Sequence, residues 1–342
     1  MQPMFHHILI ILRQTAEDQY TLQKAQRLAA CQPCHFSIFI ANPVKLPRPD
    51  PQLVGSLTKQ QLSELSAVTS DYLISENKGN AEIHWLRNYL NESDISLVIT
   101  APPSSSGLLP GLYDKLCHFL INDCELPVWL VKTPLPLTED SILACLDIED
   151  ASLRNQHLNE VILQVAAELA NALGEPLHLL NCFQDELMTM DLSYDTAHGF
   201  KKHPDELGNH QRLLQSYLLP GNVVSPCQIH IKEGCPDNEV PLVAAQLQAG
   251  LTLIGNNHCH SRLSAVLGNT AHYLCQQTPT DMLVLKPGTV IAGRQVSCPP
   301  QTASFITFRS VSFFYSHRQQ LLLNPASYRV ASVLPPPPRS RH

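Results

Sequence analysis

Two kinds of patterning alternate along the chain: short, nearly continuous apolar runs, and longer stretches in which apolar residues recur every three or four positions. The first is the signature of a strand buried on both faces, the second of an amphipathic helix. In the first half the runs fall at 7–12, 36–40, 95–100 and 127–131, and helical spacing at 17–30, 52–74, 83–90 and 113–121. In the second half, runs at 142–147, 177–183, 228–232, 251–254 and 282–285 alternate with helical spacing at 158–173, 207–219, 239–248 and 268–276. The clearest helix is 158–173. Val161, Ile162, Val165, Ala166, Leu169, Ala172 and Leu173 share one side, Gly174 stands just past the end, and Pro176 follows. Residues 43–51 read as a proline-rich loop and 184–205 as a polar one. Strands alternating with helices predict an α/β fold with a parallel sheet covered on both faces.

The pattern repeats. PVWLVKTP at 127–134 matches DMLVLKPG at 281–288, and ISLVITAPP at 95–103 matches AGLTLIGNN at 249–257. Thr100 stands as far before Lys132 as Gly255 before Lys286, to within a residue. Two tandem copies of one doubly wound unit account for this better than one large sheet. The expected boundaries are 1–135 for the first copy, 136–288 for the second, and 289–342 for a tail.

Composition narrows the class. Apolar residues make up 44% of the 342 and charged residues 15%, which is a globular composition. No apolar run approaches the roughly 20 residues of a membrane span. ILIIL at 8–12 lacks the basic flank and cleavage site of an export signal, so a cytoplasmic protein is expected. The 11 cysteines, odd in number and scattered, read as reduced thiols. The tail holds six arginines and no Asp or Glu, so the formal charge of −7 divides into −13 for residues 1–288 and +6 for the tail. An acidic body argues against nucleic acid as the main partner. The tail itself, with FITF, VSFFY and PPPPRSRH, fits a disordered extension, a segment translated outside its original frame, or a basic arm.

The stretch LTLIGNNHCHSRLSAVLGNT at 251–270 carries the most chemistry. A glycine ending a parallel strand lets backbone approach a phosphate, and a helix N-terminus offers unpaired N–H groups and partial positive charge. Gly255 ends the strand; Gly268, Asn269 and Thr270 open the next helix. His258, Cys259 and His260 are zinc-ligand types, but such close neighbours rarely point at one centre, and no second ligand pair is evident. The string Cys31-Gln-Pro-Cys34-His35 fits a haem-attachment or redox pattern. It lies at a helix C-terminus, where the dipole opposes a thiolate, and reads better as a turn. Ser104 to Ser106 have no identifiable base, and Asp147, Glu149 and Asp150 read as a solvated acidic loop rather than an acid–base pair.

The stretch resembles the universal stress protein motif, G-x2-G-x9-G followed by a small polar residue: Gly255, two residues, His258, nine residues, then Gly268-Asn269-Thr270. AGLTLIG before it, DMLVLKP after it, EGCPDNEV at 233–240 and CELPVWLVK at 124–132 add to the resemblance, which extends over residues 1 to about 288. It implies two universal stress protein-like (adenine-nucleotide-hydrolase-like) domains, cytoplasmic and packed as an internal pseudo-dimer. It also implies ATP as a ligand of some members, held by this loop and by an acid ending their first strand, here Asp147. The departures are His258 at the motif's middle glycine and, in the first copy, Arg13 for the acid and Thr100 for the first glycine. The expectation is a stress-response protein without catalysis of its own, binding ATP at most in the second copy through Asp147, Gly255, His258, Gly268, Asn269 and Thr270. The alternative is an interaction or carrier protein whose nucleotide sites are degenerate, holding a partner or an apolar ligand between the copies.

Overall fold

The computed structural model describes residues 3–13, 15, 17–41, 69–74, 80–102, 115–133, 141–150, 152–183, 208, 210, 212, 214, 227–257, 270–291 and 294–295. The first half contains β1 (His7–Leu12), α1 (Asp18–Cys31), β2 (His35–Ile40), β3 (Thr69–Ile74), α2 (Asn80–Glu92), β4 (Leu97–Thr100), α3 (Lys115–His118) and β5 (Val128–Leu130). Past His118 the backbone widens into a π turn over Phe119–Asp123, closed by the Cys124 N–H on the Phe119 carbonyl at 2.9 Å. The second half contains β6 (Ser141–Leu146), α4 (Leu153–Leu173), β7 (Leu177–Phe183), β8 (Cys227–Glu233), α5 (Pro236–Gln246), β9 (Ala249–Gly255), α6 (Thr270–Gln277) and β10 (Asp281–Leu285). A short hairpin, β11 (Val290–Ile291) with β12 (Arg294–Gln295), follows.

Ten strands form one sheet in the order β3-β2-β1-β4-β5-β10-β9-β6-β7-β8. Each half contributes five parallel strands in the same order, outermost third strand first, and the halves join where β5 pairs antiparallel with β10, Leu283 opposite Trp129. The sequence favours two copies over one large sheet; the structure has two matching halves within one continuous sheet. The strands are apolar on both faces because helices cover both. One core places α1 and α4 on one face, with Leu22, Leu28, Val161, Ile162 and Leu169 against Ile8, Ile10, Ile142 and Leu253. The other places α2, α3 and its π turn, α5 and α6 against Leu9, Ile11, Leu143, Met282 and Val284. Each core runs through both halves without a break.

Most predicted elements stand within a few residues of their expected ends. Two differ. Helical spacing over 52–74 ends in a strand instead: Thr69–Ile74 pairs parallel with β2 as the sheet's outer strand, so sheet pairing overrides a local pattern. Residues 52–68 lie outside the described residues. The long helix α4 begins at Leu153 rather than 158, because the Ser152 hydroxyl accepts the Asn155 N–H at 3.2 Å and caps an extra polar turn. Its other end closes as expected, with Gly174 at φ 71° in the left-handed region. The loops expected at 43–51 and 184–205 and nearly all of 289–342 lie outside the described residues. The helix expected over 207–219 is described at four positions, 208, 210, 212 and 214, all helical.

Candidate nucleotide edge at the switch point

In the second half, chain order reverses between β6 and β9: the chain leaves β6 for β7 on one side and returns to β9 on the other. Open α/β sheets hold ligands at such a reversal, beyond the carboxyl ends of the strands. Asp147 follows β6 and Gly255 ends β9, so two of the six candidate residues stand at this edge on neighbouring parallel strands. Thr270, the first residue of α6, is exposed at that helix's start. His258, Gly268 and Asn269 lie outside the described residues.

Asp147 is exposed, and its Oδ1 accepts the N–H groups of Glu149 at 3.1 Å and Asp150 at 3.3 Å. That is an Asx-type turn, leaving Oδ2 for other donors. The loop is pinned from below by α4. Asn155 and Asn159, one turn apart, each donate a side-chain N–H to the Asp147 carbonyl at 2.6 Å, and Asn159 Oδ1 accepts the Asp147 N–H at 3.3 Å.

Gly255 is glycine for a packing reason. A Cβ there would stand 2.6 Å from Leu158 Cδ2, 2.9 Å from its Cγ and 3.2 Å from Ile162 Cδ1. Close approach of α4 to the strand end thus requires the missing side chain. The neighbouring Asn256 is buried, its N–H bonded to the Leu285 carbonyl at 2.9 Å and its Nδ2 to the Ile121 carbonyl at 2.7 Å.

The equivalent edge of the first half is filled. Arg13 follows β1 as Asp147 follows β6, but it is buried; its N–H meets Asp18 Oδ1 at 3.0 Å and its Nη2 meets Cys117 Sγ at 3.1 Å. Thr100 ends β4 and donates to the Ile11 carbonyl at 3.1 Å.

Several residues near these edges give no signal in the sequence pattern. At the end of β7, Asn181 is wholly buried, and Phe183 stacks on His210 with ring centres 4.6 Å apart. At the seam between halves, Asp281 is wholly buried and accepts from Lys132 N at 2.9 Å, Thr133 N at 3.0 Å, Thr133 Oγ1 at 2.9 Å and Trp129 Nε1 at 3.3 Å. The Lys24 ammonium, also buried, lies 3.2 Å from Asp281 Oδ2. The repeated lysines act reciprocally: Lys132 Nζ donates to the Thr278 carbonyl at the end of α6 at 2.6 Å, and Lys286 Nζ donates to the Ile121 carbonyl of the π turn. Each half thereby caps the last helix of the other, where the dipole favours a cation. Burial pushes both lysines down to about 8. A recess beside the seam, lined by Lys24, Arg27, Trp129, Leu173, Glu175 and Gly250, has a volume of about 10 Å³. That is room for about one water.

Cys31 ends α1 exposed, while Cys34 is buried and burial pushes its thiol up to about 11, against thiolate chemistry at that position. Among the described residues no group of three or more His, Cys, Asp or Glu is placed to hold a metal, and no helix is long and apolar enough to cross a membrane.

The comparisons with known proteins fall on this frame. Residues 142–286, from β6 to the lysine after β10, match the model of the universal stress protein family. Universal stress protein E of Photorhabdus laumondii is 21% identical over 83% of this chain and 95% of its own length, and the universal stress protein E homolog of Haemophilus influenzae is 22% identical over 83% and 98%. Among solved structures, a putative universal stress protein of Pseudomonas aeruginosa superposes with a TM-score of 0.61 at 20% identity, covering 83% of this chain and 94% of that one. A universal stress protein of Archaeoglobus fulgidus gives 0.58 at 14%, covering 82% and 98%. The match to the universal stress protein family is thus carried by the second half, residues 142–286, and the fold is shared with universal stress proteins over most of the chain's length.

Proposed function

We propose that this chain is a non-catalytic, cytoplasmic stress-response protein in which only the second half presents an adenine-nucleotide edge. The supporting observation is the pairing of an exposed Asp147 carboxylate with a side-chain-free strand end at Gly255, on adjacent strands at the reversal of strand order. Asp147 Oδ2 would accept hydrogen bonds from ribose or adenine, and the phosphates would lie against backbone N–H groups at Gly255 and the start of α6, with Gly268, Asn269 and Thr270. No residue is assigned to activate water or hold magnesium, so binding without turnover is the reading. The first half becomes scaffold, since Arg13 and Thr100 use the equivalent groups internally. A carrier role is less well supported: the recess at the seam holds about 10 Å³, far below the roughly 300 Å³ of a typical ligand pocket.

Calorimetric titration of magnesium ATP into the full chain tests this. Saturable binding at one site, weakened at least tenfold by Asp147→Ala, is the expected result. No heat at millimolar ATP would overturn it.

A further inference from the structure

Beside the Asp147 loop, at the end of β7, a flat ring already sits. Phe183 ends the strand and is buried; the His210 imidazole stacks on it at 4.6 Å with the ring planes 22° apart. The stack is held from two sides. Asn181 donates its Nδ2 to the Leu146 carbonyl at 3.0 Å, which leaves its Oδ1 as the acceptor of the His210 Nδ1–H at 3.1 Å. The opposite ring nitrogen, Nε2, lies 3.8 Å from Glu149 Oε1 in the loop that Asp147 organises. His210 is largely buried, with 14% of its side chain exposed.

The strand order sets what this position faces. With phosphates at the end of β9 and a sugar at Asp147 after β6, the next strand outward is β7, about 4.8 Å further on. A base continuing the same line would come over Phe183. An aromatic ring with hydrogen-bonding nitrogens on its edge fits there, and the protein supplies one from its own chain. We infer that His210 occupies the base end of the nucleotide edge, so that an adenine nucleotide gains its full contacts only when the imidazole leaves the Phe183 face. This rests on the nucleotide reading above. It makes the second half's site self-closed: phosphate groups have access while the base competes with His210. The described helical positions from 208 to 214 carry the ring, and departure of His210 gives up the Phe183 stack, the Asn181 hydrogen bond and the approach of Glu149 while the backbone pairing of β7 stays intact.

Two probes separate this from failure of the site itself. Inorganic tripolyphosphate engages only the phosphate end; ATP needs both ends. In the full chain, His210→Ala is expected to tighten ATP binding at least tenfold and leave tripolyphosphate binding within twofold of the parent. His210→Phe keeps a stacking ring and is expected to bind ATP no more tightly than the parent. If His210→Ala lowers the melting temperature too far for titration, His210→Asn removes the ring while keeping a polar partner for Asn181. Tripolyphosphate binding with ATP affinity unchanged in the ring-free variants overturns the inference and leaves the site standing. Absence of binding by either probe to any variant overturns both.

Discussion

Gly255 shows how one residue supports two readings. In the sequence a glycine between a buried strand and a polar loop points to phosphate approach, and its place beside Asp147 is compatible with that. The structure adds a stricter demand, because Leu158 and Ile162 of α4 fill the space a Cβ would take. Gly255→Ala should therefore destabilise the protein by about 1–3 kcal/mol through overpacking. Urea unfolding would measure it, and the loss should be smaller in a Leu158→Ala background, where the contact is gone. Unchanged stability would mean packing does not require glycine there. The position of Asp147 just past β6 agrees with the strand expected at 142–147. Its supports were not legible, since Asn155 and Asn159 look like ordinary polar residues of a solvated first turn until Ser152 is seen to cap the helix. Asn181 and His210 meet across 29 residues, a distance that no local pattern reports.

At the scale of elements, the outer strand β8 is tied to β7 by an unusual pair. His178 Nδ1 and His230 Nε2 lie 3.0 Å apart, one ring donating to the other, which requires that the pair share at most one added proton. Burial holds His178 below the ordinary histidine range; burial, His178 itself and Lys232 bring His230 down to about 4. Both folded-state values lie below the unfolded value of about 6.5, so the unfolded chain binds more protons between them. The stability this contributes is complete above pH 6.5 and is lost as pH falls towards 4. The melting temperature should drop over that window, and His230→Gln should flatten the drop; an equal pH slope in the variant would refute the assignment. The strands themselves were the most legible part of the sequence, because burial on both faces writes continuous apolar runs. β3 was not, because an outer strand with Thr69, Ser70 and Asp71 lacks that run and is defined by its pairing with β2.

The whole molecule is held by the seam. Matching KTP and KPG strings revealed the repeat, but nothing in strand patterning says that β5 and β10 pair with each other; that follows from the Asp281 network and the reciprocal lysine caps. Asp281→Ala would leave the buried Lys24 ammonium and the Lys132 and Thr133 N–H groups without their carboxylate, a loss of about 3–5 kcal/mol. Because both cores cross the seam, tryptophan fluorescence, which reports the first half through Trp85 on α2 and Trp129 on β5, and far-ultraviolet circular dichroism, which reports both halves, should show one coincident transition in urea, in the parent and at lower midpoint in the variant. Separate transitions would show that the halves unfold independently. The seam also bears on stoichiometry. With β5 and β10 on one chain, the halves meet at an effective concentration set by the tether between them, on the order of millimolar for a short linker, whatever the abundance of the protein. Separate subunits would dissociate on dilution or exchange partners; these cannot. Unlike halves are therefore kept one to one, and each is free to diverge in sequence around its own strand ends, as Arg13 and Thr100 differ from Asp147 and Gly255.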